Sequence, residues 1–266
     1  MSGTITIEVC EAGIRVLRLS RTAARNALSL SMARQLRERL TELAADAEAR
    51  VIVLAADGAG FCAGLDLKSA VLGPEAATTP QQAMALQELF AGAIAALRRL
   101  PQPIVAAVQG AAVGAGFGLA LAADIRIASS SASFHIGAVK IGLSAGECGI
   151  SYHLPRLVGA GRAFEIMLTG RPVAADEALA IGLVSRVVDE PSLFESAMAT
   201  AQAIAANSPY SSKHTKQVMW ANLDASGLES ALELENHVQT VAMLTADFAE
   251  GARAFAEKRA PQFRGR

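Results

Sequence analysis

Apolar residues recur along this chain with two different periods. Short runs such as "TITIEVC" (4–10), "GIRVLRL" (13–19), "VIVLAA" (51–56) and "PIVAAV" (103–108) are rich in β-branched residues and alternate or are continuously apolar, which predicts strands. The first two surround Glu11, Ala12 and Gly13 and predict a hairpin. In 29–49, Leu30, Ala33, Leu36, Leu40 and Leu43 recur at helical spacing with Arg and Glu between them, predicting an amphipathic helix. Residues 81–100 predict a second helix, stopped by Pro101 and Pro103. Residues 71–81 carry no periodicity and predict a loop. A helix to about Ala123 follows the fourth run, and "DIRIASSSASFHI" (124–136) predicts two more strands. Beyond Val188 the pattern is mostly helical. Strands alternating with helices predict an α/β core with largely parallel pairing, followed by a helical C-terminal region.

Composition narrows the class. Of 266 residues 52% are hydrophobic and 18% charged, which suits a packed core and excludes a disordered chain. A net charge of −1 gives no bulk attraction toward nucleic acid or anionic membrane, and neither is expected as a partner. Cys10, Cys62 and Cys148 form no C-x-x-C pair, which reads as a reducing compartment without disulfides and without a metal site. The N-terminal residues show no charged segment followed by an apolar one. The longest apolar stretch, 103–123, is broken by Gly110, Gly114, Gly116 and Gly118, too often for a membrane span. A cytoplasmic location is expected.

Two strands run directly into small residues: "VIVLAA" into "DGAGFCAGLDLK", and "PIVAAV" into "QGAAVGAGFG". Tight strand–helix packing is one reading of such glycines. "GAGFG" lacks dinucleotide-binding spacing, and no Walker lysine is present. The other reading uses the orphan N–H groups where helices begin. One amide from each junction, converging on a carbonyl oxygen, would stabilise an oxyanion or enolate.

At these residues the chain resembles the crotonase, or enoyl-CoA hydratase/isomerase, superfamily. The matching motifs run in family order through nearly the whole chain: "ARNALS" (24–29), "GFCAGLDLK" (60–68), "PIVAAVQGAAVGAGFGLALAADIRIAS" (103–129), "LPRLVGAGRAFEIMLTGR" (154–171), "DEALAIGLVSRVV" (176–188) and "FAEKRAPQF" (255–263). The resemblance implies an α/β spiral of stacked ββα units over 1–200, and a C-terminal helical trimerisation region over 201–266. A homotrimer or a hexamer built as a dimer of trimers is implied. So is an acyl-CoA thioester substrate, with coenzyme A entering as part of the substrate and no permanently bound cofactor. Leu65 and Ala115 would supply the oxyanion amides. Arg25, Ala27, Ala63, Asp66, Leu67 and Lys68 would line the adenosine–pantetheine path. Phe255 and Lys258 match positions that cover the nucleotide, often from a neighbouring subunit.

Hydratases of this family carry two glutamates, at positions that are Gly118 and Ala138 here. Both carboxylates are missing. Glu147, in "GLSAGECGISYHLPRLVG", stands where dienoyl-CoA isomerases and chlorobenzoyl-CoA dehalogenases place a catalytic aspartate. It reads either as an acid at a helix N-terminus or as a single proton-transfer carboxylate, which suits double-bond isomerisation. A hydratase using Glu147 alone or with His135, and a non-catalytic acyl-CoA-binding protein, are the alternatives. Ser151 is expected to share the Glu147 face of the following helix. Asp124 is expected to cap or pair structurally, Cys62 and Cys148 to be buried thiols, and Trp220, His214 and His237 to pack or lie at the surface.

Overall fold

The computed structural model describes residues 3–70, 72–73 and 76–265. Of the loop expected at 71–81, Val71, Pro74 and Glu75 fall outside them. The hairpin is β1 (Thr4–Val9) with β2 (Ile14–Ser20), antiparallel, reversed through Ala12 and Gly13 at φ 56° and 75°. Helix α1 (Leu30–Ala45) starts where the Ser29 hydroxyl accepts the Met32 N–H. It stops short of residue 49 because Asp46, the residue that ends it, is drawn off by Arg15 (2.7 Å) and by the Glu48 amide (2.9 Å). Strand β3 (Val51–Ala56) and the single turn α2 (Leu67–Ala70) precede α3 (Pro80–Arg99). Pro80 sits in the first turn of α3, behind a Thr79–Gln82 capping box, as the missing N–H of proline allows.

Strand β4 (Ile104–Val108) leads to β5 (Ala111–Val113) and α4 (Ala115–Ala122), then β6 (Ile125–Ser129) and β7 (Ser133–His135). The next elements are α5 (Ile150–Val158), α6 (Ala160–Thr169), β8 (Val173–Ala174), α7 (Ala175–Ala180) and β9 (Arg186–Val188). The chain ends in α8 (Leu193–Ala205), α9 (Pro209–Asn222), α10 (Leu228–Ala242) and α11 (Ala246–Glu257). The main sheet has the order β1-β2-β3-β4-β6-β9, parallel except for the β1–β2 pair. A second sheet, β5-β7-β8, stands beside it. Its strand β5 is unannounced in the sequence, because three residues of Ala and Val show no period.

The continuous apolar runs follow from burial on both faces. Val51, Val53, Val105, Ala107 and Ile127 pack under Leu193, Ala197, Ala201 and Ala205 of α8. The alternate residues Ile52, Leu54, Ile104, Ala106 and Val108 lie in one cluster with Leu36, Leu40, Phe90, Ile94 and Phe117 of α1, α3 and α4. Fully burying each such aliphatic side chain contributes about 1.5–3 kcal/mol. Residue 200 falls inside α8, so this helix belongs to the layer covering the sheet, and the helices beyond it are α9–α11.

Asp124, at the start of β6, has the pairing role expected of it. It accepts the Ile104 N–H (2.7 Å), the Trp220 indole N–H (2.7 Å) and the Lys216 ammonium (2.9 Å). This fastens α9 to the N-terminal ends of β4 and β6, the far end of the sheet from the glycine junctions. Trp220 packs there between Arg98, 3.4 Å from its ring centroid, and His153. Burial among Arg98, Arg126 and Arg156 lowers the His153 pKa to about 4, so this imidazole is neutral. Among the described residues no helix is long and apolar enough to cross a membrane.

Candidate active site

Both glycine junctions leave the C-terminal ends of neighbouring parallel strands, β3 and β4, and long-range hydrogen bonds lock them together. Asn26, fully buried, donates through Nδ2 to Asp57 O (2.8 Å) and Gly60 O (2.9 Å), while its Oδ1 accepts the Arg21 N–H (2.7 Å). Buried Gln109 donates to Ala56 O (2.6 Å) and Gly58 O (3.1 Å). The two loops then run side by side: Phe61 N–H to Gln109 O, Cys62 N–H to Ala111 O, and Val113 N–H to Cys62 O at 2.8, 3.1 and 2.9 Å.

This close approach requires glycine. A Cβ on Gly116 would lie 2.2 Å from the Cys62 carbonyl oxygen. A Cβ on Gly64, whose φ is +83°, would lie 2.6 Å from Val113 O and 3.5 Å from the Ala115 nitrogen. The peptide that precedes Leu65 therefore rests against the first residue of α4. Around it the amides of Phe61, Cys62, Ala63 and Asp66 all donate within the chain. Those of Leu65 and Ala115 have no acceptor among the described residues. Ala115 is only 4% exposed. Ala115 is the first residue of α4, where N–H groups lack an intrahelical partner, so two donors without acceptors stand on adjoining backbones.

Glu147 is half-buried on the wall of this place. Its Oε1 lies 3.1 Å from where a Cβ on Gly114 would stand, one residue before the Ala115 amide. Burial pushes its carboxyl above the usual range, and it accepts no hydrogen bond among the described residues. The sequence predicts Glu147 at a helix start, sharing a face with Ser151. Instead Glu147 lies in a loop ahead of α5, separated by the left-handed residues Cys148 (φ 49°) and Gly149 (φ 74°). The i,i+4 relation to Ser151 therefore does not exist, and the carboxylate accepts no amide of the first turn of α5. Gly146 and Ser151 line an apolar groove of about 510 Å³ with Leu143, Phe164 and Met167.

Neither position expected for a hydratase carboxylate carries one, and position 118 is closed. A side chain at Gly118 would meet Cys148 O at 2.6 Å, and Ala138 is buried. His135 bonds Ser133 Oγ at 2.9 Å, its carbonyl accepts the Gly114 N–H (3.0 Å), and burial lowers its pKa. Burial pushes the Cys62 and Cys148 thiols up to about 12, leaving both as inert packing groups.

Of the residues expected along a nucleotide path, Arg25 and Lys68 are exposed, Leu67 is 40% exposed, and Ala27 and Ala63 are half-buried. Arg25 and Asn26 both take left-handed conformations, φ 50° and 56°. The Asp66 side chain turns inward. Burial raises its pKa, but hydrogen bonds from Arg21 (2.8 Å) and from the Ser69 and Lys68 amides outweigh that and hold it low. Its carboxylate is thus a brace for the loop and not a free ligand group. Phe255 is 89% exposed and Lys258 exposed at the end of α11. The tail after α11 is tied by Arg50, at the start of β3, through Phe263 O (3.1 Å). Among the described residues no hydrogen bond or ion pair joins Phe255 or Lys258 to the 25–68 segment.

Asn26, Gln109 and Arg21 escaped the sequence reading. Asn26 had one signal, an Asn inside "ARNALS", since Asn tolerates the left-handed region.

The enoyl-CoA hydratase/isomerase family model matches residues 10–266. A Mycobacterium tuberculosis protein named "Probable enoyl-CoA hydratase EchA12" is 44% identical over 262 residues, covering 97% of this chain and 92% of that one. The 1,2-epoxyphenylacetyl-CoA isomerase of Escherichia coli is 35% identical, covering 96% and 97%. The crystal structure of an enoyl-CoA hydratase from Bacillus anthracis superposes with a TM-score of 0.92 at 34% identity, covering 98% of this chain and 99% of that chain.

Proposed function

The chain belongs to the enoyl-CoA hydratase/isomerase family and has its crotonase fold with a helical C-terminal region, and from that premise we propose that it moves a double bond along the acyl chain of a coenzyme A thioester. Family members act on such thioesters, which makes the chain an acyl-CoA enzyme. The finer reading rests on one observation: a single unpartnered carboxyl, Glu147, stands beside the Gly114–Ala115 peptide, while positions 118 and 138 carry no acid.

In this reading the thioester oxygen accepts from the Leu65 and Ala115 N–H groups. Charge on that oxygen grows as a proton leaves carbon 2, so donors fixed beforehand lower the barrier. Glu147 takes that proton. The electron pair spreads over the enolate and the adjoining double bond, and the same carboxyl returns the proton at carbon 4. No atom is gained or lost, and one group serves both steps. Burial shifts its pKa upward, in the direction of the working pH near which acid–base groups serve best. The exposed Arg25 and Lys68 meet the nucleotide phosphates, with Ala27, Ala63 and Leu67 along the pantetheine. Phe255 and Lys258, unattached to this segment within one chain, cover the nucleotide from a neighbouring subunit of a trimer. The exposed apolar residues Leu244, between α10 and α11, and Phe248 and Phe255 of α11 support such assembly.

A second reading has support in the names of hydratase relatives: Glu147, alone or with His135, activates water for addition to a 2-enoyl thioester. Hexanoyl-, 2-hexenoyl-, 3-hexenoyl- and 2,4-hexadienoyl-CoA in deuterated water separate the possibilities. Isomerisation gives an unchanged substrate mass apart from deuterium at carbons 2 and 4. Hydration adds the mass of water. No turnover on any thioester, with binding retained, would replace both readings by a non-catalytic binder.

A further inference from the structure

Gly114, which caps α4, and Gly118 lie four residues apart and share one face of that helix. The turn 147–149 lies along this bare face. Glu147 Oε1 approaches the Cβ position of Gly114 to 3.1 Å, and Cys148 O and Cβ approach that of Gly118 to 2.6 and 3.0 Å. The turn closes through Ile150 N–H to Glu147 O (2.8 Å). Its middle residue, Cys148, is 8% exposed and left-handed without being glycine, a conformation that persists only where the surroundings impose it.

We propose that Gly118 and Cys148 are positioning residues for Glu147: the absent side chain at 118 seats the Cys148 backbone, and the left-handed Cys148 turns the chain so that the carboxyl returns over Gly114. The inference rests on the proton-transfer reading of Glu147. Held in this way, the carboxyl needs no hydrogen-bond donor of its own. A donor would stabilise the charged form and lower its basicity, whereas a carboxyl placed by its backbone keeps its basicity and can reach two carbons. The geometry also makes an acid at 118 and this turn mutually exclusive, because any side chain at 118 would enter the Cys148 peptide. The acid thus stands at 147 at the expense of one at 118.

Four variants, assayed on 3-hexenoyl-CoA after circular dichroism confirms folding, test this. Gly118→Ala displaces the turn, and Cys148→Val puts a β-branched residue in the left-handed region. Each is expected to lower kcat by about 10- to 100-fold, as misplacement by an ångström does. KM should change little, and the acid limb of the kcat–pH profile should move to lower pH as the carboxyl meets water. Cys148→Gly, which accepts the same φ, should keep kcat within about 3-fold. If Gly118→Ala does not fold, Cys148→Val against Cys148→Gly decides. Wild-type kcat and pH profile in the folded variants, beside a Glu147→Gln variant that has lost turnover, would overturn the positioning role and leave the role of Glu147 standing. Retained turnover in Glu147→Gln would overturn both.

Discussion

Glu147→Gln lowers kcat on the 3-enoyl thioester by about 10²–10⁴-fold, the range a single general acid–base group supplies, while KM changes by less than about 3-fold. The amide is nearly isosteric and leaves the turn over Gly118 in place, so the loss reports proton transfer and not packing. Stopped assays across pH supply the second half of the result. Wild-type kcat falls as pH drops through the Glu147 pKa, which burial holds above the ordinary glutamate value, because the base must start ionised. That limb vanishes in the variant. Stability runs the opposite way. With the folded pKa raised, the folded state holds its proton more tightly than the unfolded state does. The contribution of Glu147 to stability is therefore largest at low pH and declines as pH rises from the unfolded to the folded pKa. Thermal melts of Glu147→Gln lack that decline. Equal kcat in the two proteins would remove Glu147 from the chemistry.

Gly64→Ala has the next largest effect, although residue 64 contributes no group to the reaction. Its φ of +83° and the 2.6 Å from its Cβ position to Val113 O force an added methyl group to push the Leu65 segment off β5 and the start of α4. The two amides then no longer share an acceptor. Loss of one donor to an oxyanion costs about 2.7–4 kcal/mol, or 10²–10³ in kcat, and the strained backbone costs a further ~1–3 kcal/mol of stability. Melting temperature and kcat measured together distinguish the two contributions. A folded Gly64→Ala protein with wild-type kcat would mean that the distance between these loops is not what turnover depends on.

The sequence showed these loops well and the acid poorly, for physical reasons. Gly64, Gly114 and Gly116 follow apolar strands, and only small residues at such places let two backbones meet, so the close approach of the two loops was readable. Helix α1 was readable from its period, and the end of α3 from Pro101 and Pro103. The missing carboxylates at 118 and 138 were readable only through the family resemblance. What was hidden depends on distant partners. Nothing in "GECG" announces that Cys148 is left-handed, since a cysteine takes that region only under tertiary constraint, and the helix was accordingly begun too early. Nothing near Asp66 reveals that Arg21 claims its carboxylate. Asn26 and Gln109, which lock the junctions, do so across more than 30 and 50 residues respectively. Strand β5 is too short for any period. The part played by Phe255 and Lys258 depends on what meets the exposed end of α11, which their own sequence does not encode.

A crystal structure of the protein with hexanoyl-CoA, which binds without reacting, tests the central claim most directly. The thioester oxygen is expected about 2.7–3.1 Å from both the Leu65 and the Ala115 nitrogens, with the Glu147 carboxyl facing carbon 2. A thioester oxygen seated away from either nitrogen, or solvated by water in its place, would contradict it.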